Sequence, residues 1–170
     1  PLSIVDCTNR VIANAFRLRW EPNFAPYVTS AQQGFLPGRS LLRNVADLEH
    51  ESMTLCLTEE HPAALLLDFA AAFPSISQEF ILKAVAATGA PPVVTQVLRA
   101  LYFQVSCEVS LQGRRFPGFL LTSGIRQGCP LSPLLFALAS DTLLRVLQEH
   151  PHISPKAYAD DTALVTSNWP

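Results

Sequence analysis

Two short apolar segments, each running into carboxylates, constrain this chain more than any other feature. Ala63-Ala64-Leu65-Leu66-Leu67 ends on Asp68, and Lys156-Ala157-Tyr158-Ala159 ends on Asp160 and Asp161. Both have the length of a strand. If they are neighbours in one sheet, carboxylates far apart in sequence meet at one edge. There they can hold a pair of Mg²⁺ ions roughly 3.5–4 Å apart, a geometry suited to phosphoryl transfer.

The chain has 170 residues, of which 49% are hydrophobic and 15% charged, which fits one domain folded around a buried sheet and excludes disorder. No apolar run reaches the roughly 18 residues that span a bilayer. The start, Pro1-Leu2-Ser3-Ile4-Val5-Asp6, lacks the basic region and apolar stretch of a signal peptide, so an intracellular chain without membrane contact is expected. A first residue that is not Met, and a last one just after a strand, lead us to expect part of a longer protein. Cys7, Cys56, Cys107 and Cys129 are widely spaced with no Cys-x-x-Cys pair, which argues against a zinc site or a disulfide framework; reduced thiols in or near the core are expected. His50, His61, His150 and His152 sit beside acidic or proline residues in expected connecting segments and are given no catalytic role. A net charge of −2 opposes a basic nucleic-acid groove within these residues. Carboxylates committed to metal ions reverse the field locally, and a basic groove would belong to other parts of the protein.

Periodicity predicts an amphipathic helix from about Asp6 to Trp20, broken by Pro22 and Pro26, and a turn-rich loop over Gly34-Phe35-Leu36-Pro37-Gly38-Arg39-Ser40. Ser40 is expected to cap a helix through Leu41, Leu42, Val45 and Leu48. A buried strand is expected at Leu65 to Phe69, with helices over about Gln78 to Thr88 and Pro91 to Phe103. Alternation in Val105, Cys107, Val109 and Leu111, then Gly113 and Phe116 to Leu121, predicts a β-hairpin. Pro133 opens a helix to about Gln148, with Leu134, Leu135, Ala137, Leu138, Leu143 and Leu144 on its apolar side and Ser132-Pro133 capping it. A last hairpin would carry Asp160 and Asp161 at its tip. There is no internal repeat and no charge run, and a sheet with helices on one face is expected.

Three segments carry chemistry: Leu67-Asp68-Phe69-Ala70-Ala71-Ala72-Phe73, Gly124-Ile125-Arg126-Gln127-Gly128-Cys129-Pro130-Leu131-Ser132-Pro133, and Tyr158-Ala159-Asp160-Asp161. With the Gly34 to Ser40 loop upstream, their wording and order resemble the reverse transcriptases, in the non-LTR (LINE-like) retrotransposon branch. Any one of them alone is a weak signal; four in order are a strong one. The resemblance implies an α+β fold, a palm of antiparallel sheet and packed helices over about 63–170 and partial fingers over about 1–62, ending before a thumb. It also implies RNA-directed DNA polymerase activity, with an RNA template, a DNA primer and deoxynucleoside triphosphates as partners. Asp68 and Asp160 would bridge two Mg²⁺ ions, which Mn²⁺ can replace, and Asp161 would be an auxiliary acid or else a turn residue.

The same resemblance places Phe73 under the incoming sugar, where a ring would clash with a 2′-hydroxyl; the other reading of Phe73 is core packing. Phe69, Gln127 and Gly128 would lie at the nucleotide, Arg126 at phosphate, and Gly38, Arg39 and Tyr158 at template or primer, with a solvated side chain as the other reading of Arg39. The missing fingers and thumb, an endonuclease domain and a nuclear site of action belong to the same family expectation. Two positions depart from the branch: Ala71 stands where a charged residue is frequent and Pro74 where an acidic one is. These departures and the acidic balance support the alternative of an inactive relic or a non-enzymatic RNA-binding module. The intact carboxylates support the enzyme. An RNA-templated RNA polymerase shares the acidic motifs but not the Gln-Gly-Cys-Pro-Leu-Ser-Pro wording.

Overall fold

A computed structural model describes residues 5–169. Pro1 to Ile4 and Pro170 lie outside it, and with them the Pro1-Leu2-Ser3 start read above. Helix α1 spans Cys7–Phe24, begun by the Asp6 carboxylate accepting from the Thr8 amide at 2.8 Å. Pro22 does not break it as expected. A proline in the last turn costs only a hydrogen bond near the frayed end, and Trp20 and Phe24 are both buried, stacked in sequence with Phe16. Burial of those rings carries the helix past the proline. Pro26 then sits in the first turn of a 3₁₀ segment, Ala25–Tyr27.

Helix α2 is Leu41–Thr58 and strand β1 is Ala63–Leu67. Ser40 holds the N-cap position of α2, but its side chain makes no capping bond. A short helix α3, Ala72–Ser75, precedes α4 at Gln78–Ala87, which the Ser77 hydroxyl caps, and α5 at Pro92–Tyr102. Strands β2, Val105–Leu111, and β3, Arg114–Leu121, form a separate hairpin. Positive φ at both Gln112 and Gly113 makes its tip the turn whose twist matches paired strands. Helix α6 is Ser132–Gln148, and β4, Ile153–Tyr158, and β5, Asp161–Thr166, end the described chain.

The core is built around α6. Leu134, Leu135, Phe136 and Ala137 are essentially inaccessible, packed with Ile81, Leu82 and Val85 of α4, Val94 and Leu98 of α5, and Ala13 and Trp20 of α1. Leu143, expected on the buried side, is instead 45% exposed. The three-stranded sheet has order β1-β5-β4 with both pairings antiparallel. Leu144 of α6 meets Ala157 on one side of it, while Glu51 of α2 reaches Lys156, the adjacent residue and so the other side, at 2.7 Å.

Strand β1 is an edge, paired on one side only. The expectation of a buried strand at Leu65 to Phe69 fails here: Leu66 is 79% exposed, and Leu67 and Phe69 are exposed as well. A continuous apolar run reads as covered on both faces, and only its partner β5 is so covered. The thiols also divide, with Cys129 buried, Cys107 intermediate, and Cys7 and Cys56 exposed rather than near the core. His50 lies inside α2, not in a connection.

These burials give an unequal pair. Leu135→Ala should cost about 2–5 kcal/mol of unfolding free energy in denaturant titration, whereas Leu66→Ala, in the equally apolar run of β1, should cost within about 0.5 kcal/mol.

Candidate active site

The register of β1 against β5 builds the acidic site. Leu67 pairs with Thr162, so the next step along both strands sets Asp68, one residue past the pairing, across from Asp161, the first residue of β5. Asp160 adjoins it in the two-residue turn between β4 and β5, where Tyr158 pairs with Asp161. Asp160 is thus in the turn and Asp161 already in the strand, a small change from a shared place at the tip. Among the described residues, none of the three carboxylates has a hydrogen-bond or ion-pair partner. Unpaired carboxylate oxygens at one edge are the hard donors that Mg²⁺ takes. Their side chains do not converge: among the described residues, no three His, Cys, Asp or Glu groups are gathered closely enough to hold a metal ion.

Beside Asp68 lies a shelf of aromatic rings. Phe136, 1% exposed, anchors it from α6, with Phe73 at 5.0 Å between centroids, Phe35 at 6.2 Å and Phe69 at 6.5 Å. Phe73 is half-buried, and Phe35 and Phe69 are partly open to solvent. Phe35 is contributed by the Gly34 to Ser40 loop and adopts φ 65°. The sequence reading did not single it out, because one aromatic in a turn-rich loop carries no periodic signal.

The Gly124 to Cys129 segment is fastened to the same place. Gly124 N–H donates to the Ile76 carbonyl at 2.7 Å and Ile125 N–H to the Phe73 carbonyl at 2.9 Å. A Cβ on Gly124 would lie 2.8 Å from Pro74 Cα and O, so only glycine allows this approach. Gln127 and Gly128 follow in an exposed turn, Gly128 with φ 80°. Arg126 is turned inward: its guanidinium lies over the Tyr102 ring at 4.9 Å and donates to the Leu101 carbonyl at 2.5 Å, while its Nε is buried without a partner. An outward phosphate contact is not what this rotamer offers. Ser132, expected to cap α6, instead donates through Oγ to the Arg126 carbonyl at 2.7 Å and lies 3.1 Å from the Tyr102 hydroxyl. Tyr102 and Cys129 Sγ are 3.2 Å apart.

Arg39 is likewise committed. Its guanidinium donates to the carbonyls of Thr29, Gln32, Val28 and Ala25, four backbone acceptors in one loop. It is neither solvated nor aimed at a template. Burial lowers its pKa, opposed by Asp141. Asp141 is 4% exposed and accepts from Thr29 N–H and Oγ1 and from Arg145. Gly38, with φ 75°, has open space where a side chain would be, and Tyr158 is half-exposed at the end of β4.

The least expected contributor is Gln32, with no solvent exposure. Its amide bonds the backbone of Ala159, the residue before Asp160, through both its oxygen and its nitrogen. Nothing in the local Gln32-Gln33 pair marks one glutamine as buried.

Comparison with known proteins bears on this arrangement. The family model described as "Reverse transcriptase (RNA-dependent DNA polymerase)" matches residues 1–169. A Transposon TX1 149 kDa protein from Xenopus laevis is 27% identical over 99% of this chain. The Pol polyprotein of the type-2 retrotransposable element R2DM from Drosophila melanogaster is 28% identical over 96%. The chain spans 14% and 16% of the length of these two relatives. Among solved structures, apo telomerase from Candida tropicalis matches with a TM-score of 0.62 at 14% identity, over 95% of this chain and 33% of that one. A Cas6-RT-Cas1–Cas2 complex matches with a TM-score of 0.52 at 15% identity, over 98% and 28%. At such identity the structural likeness shows the fold, a mixed helix and strand architecture shared with reverse-transcriptase-containing proteins.

The Tyr102 cluster predicts a pH dependence. Burial pushes the phenol pKa well above its usual value, with Cys129 adding to the shift. The raised pKa means that the folded state keeps its proton where the unfolded state loses it. Stability is therefore unaffected below about pH 10 and falls above it, by up to about 1.4 kcal/mol per pH unit. Tyr102→Phe should remove that alkaline slope in denaturation measured between pH 8 and 11; an unchanged slope would mean other groups cause it.

Proposed function

This chain belongs to the reverse transcriptase family, and we propose that it forms the nucleotidyl-transfer core of an RNA-directed DNA polymerase of a non-LTR element. Proteins of this family use divalent metal ions and bind nucleic-acid template and primer. The observation that carries the proposal is the β1–β5 register, which sets Asp68 opposite Asp161 and next to the Asp160 turn. Asp68, Asp160 and Asp161 would hold the ions, two Mg²⁺ or Mn²⁺ in their place. When bound, such ions supply a primer 3′-hydroxyl of lowered pKa and neutralise charge on the departing pyrophosphate.

The other residues orient the substrate. Phe73 is held by Phe136 and Phe35 yet remains half-exposed, which supports its ring as a fixed wall under the nucleotide sugar, excluding a 2′-hydroxyl. Phe69 continues that wall. Because Ile125 N–H bonds the Phe73 carbonyl, the Gln127-Gly128 turn is tied to the same wall. Gln127 is free to bond a base or phosphate, and Gly128 lets the backbone approach. Arg126 shapes that turn from beneath. Tyr158, half-exposed at the end of β4, and Gly38, exposed in the supporting loop, would meet primer and template. Basic grip on the duplex would come from the remainder of the protein, where an endonuclease domain and action in the nucleus also belong. Among the described residues, no helix is long and apolar enough to cross a membrane.

In the complete protein carrying this chain, Asp68→Ala and Asp160→Ala should each reduce primer extension on an RNA template at least roughly a hundredfold, equivalent to about 2.7 kcal/mol or more at 1.36 kcal/mol per factor of ten. The melting temperature should stay near wild type. Full extension by Asp160→Ala would remove the metal-site assignment, and RNA binding by a wild type that never extends a primer would favour the non-enzymatic module. Separately, Phe73→Val should raise ribonucleotide incorporation relative to deoxynucleotide by about tenfold or more. Unchanged selectivity would return Phe73 to a packing role.

A further inference from the structure

We infer that Gln32 and Gly34 are positioning residues for Asp160, acting through the backbone of Ala159; the inference rests on the polymerase reading above. Gln32 Oε1 accepts from Ala159 N–H at 2.8 Å and from Gly34 N–H at 2.9 Å, while its Nε2 donates to the Ala159 carbonyl at 3.0 Å and to Ser140 Oγ at 3.2 Å. A carboxamide offers two donors and a carbonyl with two lone pairs, so every position is used. Ala159 N–H belongs to the peptide before this residue and its carbonyl to the peptide joining it to Asp160. One side chain therefore fixes both peptide planes, and these set the direction in which Asp160 leaves the turn.

Ala159 needs such a hold. It has φ 58° at the first loop position of a two-residue hairpin, a place usually given to glycine. Gly34 completes the bed beneath it: a Cβ there would stand 2.1 Å from Ala159 N and 2.8 Å from its Cα. Those are backbone atoms, which cannot swing aside as a flexible side chain would. The same loop closes the free edge of β4, with Gln33 N–H donating to the Ala157 carbonyl and Ala157 N–H to the Ala31 carbonyl, both at 2.7 Å. Arg39 and Asp141, clasping the backbone of the 25–32 segment, keep Gln32 where it can act. Gln32 touches no reacting atom; it positions a residue that does.

The test uses the complete protein carrying this chain, with two readouts: primer extension, and hydrogen exchange at the Ala159 amide. Gln32→Ala should lower kcat about 10–100-fold with KM for the deoxynucleotide within about twofold, and raise Ala159 exchange by a comparable factor. The Mg²⁺ concentration for half-maximal extension should rise severalfold. Adding Ala159→Gly to Gln32→Ala should restore part of kcat, since glycine adopts the positive φ without help; a purely structural role predicts no such rescue. Ser140→Ala removes only the outer anchor and should give a smaller loss of the same kind, which keeps the inference testable if Gln32→Ala does not fold. Wild-type kcat and wild-type Ala159 exchange in Gln32→Ala would overturn it, as would a loss carried mainly by KM, or a loss of kcat that Ala159→Gly does nothing to restore. A wild type that extends no primer contradicts the polymerase reading instead, and Ala159 exchange still decides whether Gln32 holds the turn.

Discussion

Everything proposed for this chain depends on the pairing of β1 with β5. The two strands come from opposite halves of the sequence, and their antiparallel register decides which residues face each other at the sheet edge. A slip of one residue would move Asp68 away from Asp161 and turn its side chain to the other face. The register is held in an unequal way. β5 is the central strand, with Ala163 and Val165 buried, while β1 is an edge with Leu66 in solvent. The fixed side of the acidic site is therefore the hairpin, and the adjustable side is Asp68.

The supporting structure follows the same division. On the hairpin side, helix α6 supplies Leu144 beneath Ala157, Ser140 behind Gln32 and Asp141 on the 25–32 loop. It also supplies Phe136, around which the aromatic shelf is arranged. One helix, buried along most of its first half, thus connects the turn that carries Asp160 to the wall that carries Phe73. On the Asp68 side, fastening comes through Phe73 and Ile76, which bond the Gly124-Ile125 backbone. The two halves of the site share α6 as a common base, and that sharing explains why so much of the polar network lies away from the carboxylates themselves.

Much of this was legible in the residues. Alternation and turn chemistry located both hairpins, helical periodicity located α4, proline signals located α5 and α6 to within a few residues, and the acidic segments identified β1, the β4–β5 turn and their shared edge. What stayed hidden depends on three-dimensional satisfaction of polar groups. Arg39, Arg126 and Gln32 have the composition of surface residues, and each is spent on backbone carbonyls or amides that only the folded loop presents. Ser40 sits at the N-cap of its helix and Ser132 one residue inside the start of α6, yet neither makes a capping bond; Ser132 donates to the Arg126 carbonyl and lies against Tyr102 instead. Pro22 failed as a stop signal because burial of Trp20 and Phe24 outweighs one lost hydrogen bond. Leu66 failed as a core residue because an apolar run does not reveal whether its strand lies at the edge.

Carboxylates from two distant segments are proposed to form one cation site, and paramagnetic broadening by Mn²⁺ tests this most directly. Added in small amounts to the isotopically labelled protein, Mn²⁺ should broaden the amide signals of Asp68 and of Ala159 to Thr162 together, at the same concentration, and Asp160→Asn should abolish both effects. Broadening confined to one of the two segments, or unchanged by Asp160→Asn, would contradict the account.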